Sequence, residues 1–481
     1  MRKKILYTLL IAFSLSSCEE IVEVEPRNQL SPNVVLADLR GFTAVLNSSY
    51  DRLQEFNYWG RDLALRGDAL SDNIYTAPAL DAGRYAAANV NNIGQYGIWG
   101  TAYSAINDLN TVIANIDALT VPASQEVEKA TVKAEALALR GMIYFDLARI
   151  YGYDPGAIPT TGPGAGFNKS VVLRLTPTGT AADAATVERS TIEETYTAIE
   201  ADFKNAIAAF PNNGTSRFRI NKGATYGLLG KLYLYWRKYP EAVTQFDLAL
   251  ANTAATLATN YVTAFNSSGV NPESLFELTW VAATEMAGVV GSNNSLFSYS
   301  NPNGRNGFST FGGNTVSNEL FALFEPTDAR LGLIFQYGGT AASTTPIYNW
   351  SRKYSGAEGT YTDNIVIIRY ADILLMKAEA LASQNQFGPA AMIVNNIRTS
   401  RSATASAPAD ATLLSFIQDE RRRELFFEGH RWFDLKRLGN GITKPARTAV
   451  GTLAHSDFRI LAAIPISEIN LFPGLPQNPG Y

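Results

Sequence analysis

From Asp38 onward the apolar residues Leu39, Phe42, Leu46, Tyr50 and Leu53 recur at spacings of three and four, which predicts an amphipathic helix. Helical spacing returns over residues 99–113 and again over 134–149, where Ala134, Ala138, Gly141 and Ala148 would let a partner helix approach closely. Between these stretches the pattern breaks. Residues 75–97 are rich in Ala, Asn and Gly and read as a long loop, and loops of that length in a compact chain usually carry function. Two further interruptions, at about 151–189 and 260–364, are rich in Gly, Pro, Thr, Asn and Ser, with strand-like fragments such as 274–281.

The helices repeat. Between 223 and 256, Tyr226, Leu229, Gly230, Tyr233, Ala242, Phe246 and Ala249 have the spacing and residue types of a tetratricopeptide helix pair. A looser copy holds Leu374, Ala378, Leu381, Ala390, Val394 and Ile397, and a third is split, with Leu137, Gly141 and Tyr144 on one helix and Ile199, Phe203, Ala206 and Pro211 after an insertion. Each pair has too little apolar surface to stand alone and must stack on its neighbour. The predicted fold is mainly α: tetratricopeptide-like pairs forming a right-handed superhelical scaffold, decorated by large loop-rich insertions.

Composition makes this a globular chain with a large core: 481 residues, 46% hydrophobic and 17% charged. Residues 1–17 read as a signal peptide, with Arg2-Lys3-Lys4 followed by an apolar run from Ile5 to Phe13 that is too short to span a bilayer. The single cysteine, Cys18, ends it, and Leu15-Ser16-Ser17-Cys18 resembles a bacterial lipobox whose thiol accepts diacylglycerol. Residues 18–37 then form a tether and 38–481 one folded unit. Glu19 and Glu20 resemble an export tag to the cell surface. Removing residues 1–17 leaves 37 basic against 44 acidic side chains, a net charge of −7, which argues against a nucleic-acid partner.

The densest motif is residues 419–439, where charges alternate with Leu425, Phe426, Phe427, Trp432, Phe433, Leu435 and Leu438. Opposite charges three apart, Glu420/Arg423, Arg421/Glu424, Glu428/Arg431, Arg431/Asp434 and Asp434/Arg437, predict local ion pairs on a helix that Gly429 breaks. The expected role is a structural ion-pair corner of Glu420, Arg421, Glu424, Glu428, Arg431 and Asp434. As E-R-R-x-E-L-x-x-E-G-x-R-x-x-D-L-x-R it resembles the C-terminal signature of the SusD/RagB family, outer-membrane lipoproteins of Bacteroidetes. Arg369-Tyr-Ala-Asp372-x-Leu-Leu-Met-x-Ala-Glu379-Ala and the stretch 134–152 resemble the same family. The resemblance implies a lipid-anchored surface protein that sits over a SusC-like TonB-dependent β-barrel and passes it an oligosaccharide or other nutrient.

Sugar recognition needs flat aromatic faces beside amides, carboxylates and arginines. The insertions supply Tyr75, Arg84, Tyr85, Trp280, Tyr299, Arg305, Tyr348 and Trp350 as candidate ligand residues. Catalysis has little to build on: His430 and His455 are the only histidines, no metal or cofactor motif is present, and Gly-x-Ser-x-Gly is absent. A tetratricopeptide scaffold for outer-membrane assembly and a surface glycosidase using paired carboxylates remain as alternatives. Bond cleavage in a glycan panel, lost in a carboxylate mutant, would favour the latter.

Overall fold

The computed structural model describes residues 35–77, 84–92, 96–185, 187–214, 216–286, 288–304, 309–338 and 346–481. Cys18, the signal peptide, most of the tether and Arg305 lie outside the described residues. The longer helices are α1 (Leu39–Gln54), α2 (Asp62–Leu70), α3 (Trp99–Asn115), α4 (Glu126–Tyr151), α5 (Ile192–Ala209), α6 (Lys222–Tyr235), α7 (Tyr239–Ala251), α8 (Tyr370–Ala382), α9 (Phe387–Ser400), α10 (Leu413–Leu425) and α11 (Arg431–Arg437).

The first helix shows how the chain encodes itself. Asp38 caps α1 by accepting a hydrogen bond from the Gly41 amide at 3.0 Å, and Leu39, Phe42, Leu46, Tyr50 and Leu53 are all buried along one face. That face packs on α3 and α4. The repeats form as antiparallel pairs, α4 with α5, α6 with α7 and α8 with α9, and successive pairs stack α5 on α6 and α7 on α8. The small residues of the pattern are required by the approach. A Cβ on Gly230 would lie 2.6 Å from the Phe246 ring, and one on Gly141 would lie 3.0 Å from the Phe203 ring. In both pairs a glycine on the first helix receives a phenylalanine from the second.

The interruptions hold more regular structure than their composition suggests. Tyr75 lies on strand β1 (Ile74–Thr76), and a short helix covers Ala86–Asn89. Strand β2 (Ser274–Leu278) pairs antiparallel with β6 (Ile365–Arg369), which runs directly into α8. A four-stranded antiparallel sheet has the order β1, β3 (Asn314–Val316), β5 (Tyr348–Ser351), β4 (Ile334–Tyr337), with Tyr75 opposite Thr315, Val316 opposite Asn349 and Tyr337 opposite Tyr348. Short helices such as Tyr261–Asn266 and Leu296–Ser300 fill the rest.

The charged corner is buried, but its pairs are mostly not the local ones. Glu420–Arg423 and Asp434–Arg437 form at 2.6 and 2.9 Å. Arg421 turns instead to Asp434 and Asp372, Glu428 to Arg369 and Lys353, and Arg431 to Asp72. Within α10 and α11, Arg421, Glu424 and Arg431 are taken by partners from other elements, and between the helices the chain is broken: α10 stops at Leu425, Phe427 and Gly429 both take positive φ, and α11 begins at Arg431. Residues 428 and 431 therefore share no helical face. Glu424 accepts from Arg330, Arg369 and Arg401 at 3.0, 2.8 and 2.9 Å, which holds its carboxyl far below the usual range although burial alone would raise it.

Candidate functional site

At the C-terminal end of α1 the chain turns through Glu55, Phe56 and Asn57 before α2. Tyr58 and Trp59 enter the core, whereas Phe56 stays 47% exposed. In the same cleft wall stand the largely buried Trp280, just beyond β2, Met286, which follows the short helix Ala282–Glu285, and Val290 on the short helix Gly288–Asn294. Together with Asp51, Gln54, Glu55, Glu285 and Asn294 these residues line a cleft of about 340 Å³. Gln54 donates to the Thr279 carbonyl and so ties the helix end to the strand exit. The result is two aromatic rings with a rim of carboxylates and amides, the mixture that binds an amphipathic ligand.

The Phe56 ring is backed by a guanidinium. Arg61 lies 4.9 Å from its centroid and 4.4 Å from that of Tyr299, donates to the Asn293 carbonyl at 2.8 Å, and pairs with Asp62 at 2.8 Å. Burial works against a charge on Asp62, but Arg66 and Arg61 hold its carboxyl below the ordinary range. Tyr85 donates to the same carboxylate at 2.5 Å, and burial, then Asp62, pushes its hydroxyl well up. These contacts immobilise the wall before any ligand arrives.

The described candidate residues divide among four places. Trp280 lines the cleft. Arg84, Tyr85 and Tyr299 come together one layer behind it: the Tyr85 and Tyr299 rings are 5.4 Å apart, Arg84 donates to the Tyr299 hydroxyl at 2.5 Å, and its guanidinium covers Phe311 at 3.8 Å. Tyr85 and Tyr299 are 1% and 0% exposed, so neither ring offers a face to a sugar; they position Arg61 and Asp62 instead. Tyr75 and Tyr348 stack on each other on the four-stranded sheet, centroids 6.1 Å apart at 17°, beneath Arg447, and the groove beside them closes to about 10 Å³. Trp350 is 1% exposed and belongs to the core.

Phe56 was not among the sequence candidates. Its signal is the aromatic-rich turn Phe56-Asn-Tyr58-Trp59 after a polar helix end, where one ring of three has no core to enter. Among the described residues no group of three or more His, Cys, Asp or Glu side chains could hold a metal ion, and no helix is long and apolar enough to cross a membrane.

The comparisons fall in one class, SusD-like proteins with a helical fold. Residues 335–481 match the SusD family, and residues 43–234 match a family described as starch-binding, associating with the outer membrane. SusD-like protein P38 of Formosa agariphila is 26% identical over 92% of each chain. A putative sugar binding protein from Bacteroides vulgatus is 27% identical, with a TM-score of 0.76 over 92% of this chain and 98% of that one. A laminarin binding SusD-like protein superposes with a TM-score of 0.73 at 22% identity, over 92% of this chain and 99% of its own. The chain belongs to the SusD/RagB family.

Proposed function

We propose that this protein binds a glycan in the Phe56–Trp280 cleft at the cell surface and hands it to a SusC-like TonB-dependent transporter, without cleaving it. The observation that carries glycan binding is the exposed Phe56 ring, held from behind by Arg61 in a cleft that it shares with the largely buried Trp280 and with carboxylates and amides. The pyranose C–H face stacks on the rings while its hydroxyls pair with Asp51, Glu55 and Asn294. The rim has three carboxylates and no cation among its lining residues, which suits a neutral sugar better than a uronate or sulfated one. The family description as starch-binding and a laminarin binding relative support the same ligand class.

Anchoring is assigned to Cys18, whose lipidation would hold the folded unit at the outer membrane. Calorimetry of the purified protein with laminarin and starch tests the binding reading, and Phe56→Ala should weaken whichever binds. If neither Phe56→Ala nor Trp280→Ala alters the affinity of a bound glycan, the cleft is not its site. Copurification of a TonB-dependent barrel with this chain from the native membrane tests the partner; failure of any such barrel to copurify would remove the delivery step.

A further inference from the structure

Beside the end of α1 lies a second and larger cleft, about 500 Å³, walled by the first half of α3, by the segment 172–187 and by the chain's C-terminal segment. Its ring is Tyr103. The Tyr103 hydroxyl donates to the Val172 carbonyl at 2.7 Å and accepts from the Val172 amide at 3.0 Å, and Trp99 packs against the ring with centroids 4.8 Å apart, so the ring is fixed while remaining half-exposed. One turn earlier Gly100 leaves the helix surface bare: a Cβ there would find no atom within 4 Å. Around the ring stand the exposed hydroxyl of Ser104, the Arg52–Asp108 pair at 3.0 Å, and Glu468, which makes no ion pair among the described residues.

The two clefts share one ridge. Asp51 and Glu55 line the Phe56–Trp280 cleft, whereas Arg52, between them in sequence, lines the second. Thr101, flanked by the cleft-lining Gly100 and Tyr103, donates its hydroxyl to the Glu55 carboxylate at 2.9 Å. Adjacent residues at the end of α1 therefore line both clefts.

We infer that the two clefts are subsites of one elongated surface, and that the ligand is a glycan chain of several sugar residues crossing this ridge, one ring on Phe56 and Trp280 and another on Tyr103. The inference rests on the glycan reading of the first cleft. A purely apolar ligand would strip water from Arg52, Asp108 and Glu468 without replacing their hydrogen bonds. A small anion would meet Asp108 and Glu468, while Arg52 is already paired with Asp108 and Arg174 already donates to the Asp183 and Ala184 carbonyls. A sugar ring satisfies both the aromatic face and the polar rim, and linkage to the first subsite makes the second binding event intramolecular.

The test is a length series: β-1,3-glucan and α-1,4-glucan oligosaccharides from disaccharide to hexasaccharide, titrated calorimetrically into the full chain. The hexasaccharide of the series that binds should be tighter than the disaccharide by about tenfold or more. Ser104→Trp, which lays an indole over Tyr103, should return the hexasaccharide to about the affinity of the disaccharide, and Gly100→Gln should do the same if the first variant melts early. Equal affinity at all lengths, or a length gain that survives both folded variants, overturns the inference while leaving the first cleft intact. Disaccharide binding that Phe56→Ala leaves unchanged overturns the reading of the first cleft instead, and no binding in either series overturns both.

Discussion

Arg369 grips Glu424 twice, donating to its carboxylate at 2.8 Å and to its backbone carbonyl at 2.9 Å, with both side chains buried. Because Arg330 and Arg401 share that carboxylate, Glu424→Ala takes a partner from three buried cations at once, and although Asp328, Glu420, Glu273 and Glu428 still face them it should cost about 3–5 kcal/mol. Arg431 bonds Asp72 at a site where both side chains keep some exposure, so Arg431→Ala should cost about 1 kcal/mol, near the range of surface pairs. Urea midpoints of the two variants check the ranking, and equal losses would mean that Glu424 is not the hub.

A pH signature follows from His430. Burial first, then Lys231 at 3.4 Å, pushes its pKa down to about 3, although Asp372 pulls the other way and Arg421 and Glu428 also face it. The unfolded chain takes up this proton near pH 6.5 and the native state does not, so the His430 contribution to stability is lost as pH falls below 6.5, by about 1.4 kcal/mol per unit. Asp68 and Glu277, pushed up to about 7 by burial, have the opposite sign over the same range. The quantity to measure is therefore the difference in unfolding free energy between the parent and His430→Gln at pH 7 and pH 5. That difference should shift in favour of the variant at the lower pH; a pH-independent difference would show that His430 titrates in the native state as it does in the unfolded chain.

Helices were legible because their information is local. The five apolar positions of α1 repeat with the helical period and are all buried, and Gly230 with Phe246 could be matched by spacing alone. The charged corner was legible as a buried unit but not in its partners, since Arg330, Arg369 and Arg401 arrive from elements that no short-range spacing connects to Glu424. The site divides in the same way. An aromatic residue in a loop reads identically whether it will be a platform or a plug; burial separates the exposed Phe56 from Trp350 and Tyr299 inside, while Trp280 is largely buried and gives the cleft only a small part of its surface. Phe56 escaped notice because it follows a polar helix turn outside the loops that composition marks out.

That division predicts opposite phenotypes for two aromatic substitutions. Phe56→Ala removes an exposed ring and should weaken glycan binding by about 1–3 kcal/mol, the scale of an aromatic anchor. Its effect on stability should stay within about 0.5 kcal/mol. Trp350→Ala hollows the core and should cost about 3–5 kcal/mol of stability. Paired calorimetry and thermal unfolding decide the matter: a Trp350→Ala protein that melts normally yet loses ligand would return Trp350 to the binding surface.

Two glycines that look alike in sequence should behave differently because different atoms stand in the way. At Gly230 an added Cβ meets the Phe246 ring at 2.6 Å, and a side chain can shift, so Gly230→Ala should cost about 1–3 kcal/mol as overpacking. At Gly429 the obstacle is the Leu63 carbonyl, with the Ala64 backbone 3.0 Å away, and φ is +79°, which adds about 1–2 kcal/mol of left-handed strain for any other residue. Retreat is blocked, since Gly67 lies so close that its own Cβ would sit 2.7 Å from the Gly429 carbonyl, and the Gly429 amide donates to buried Asp68 at 2.9 Å. Gly429→Ala should therefore be the more damaging change, pulling α2 away from the α10–α11 turn. Gly100→Ala, with open space around its Cβ inside a helix, should be neutral or stabilising by up to about 1 kcal/mol. Melting temperatures in the order Gly100→Ala, Gly230→Ala, Gly429→Ala from highest to lowest are the expected result, and a Gly429→Ala protein as stable as Gly230→Ala would mean that the backbone contact between the two ends of the chain yields easily.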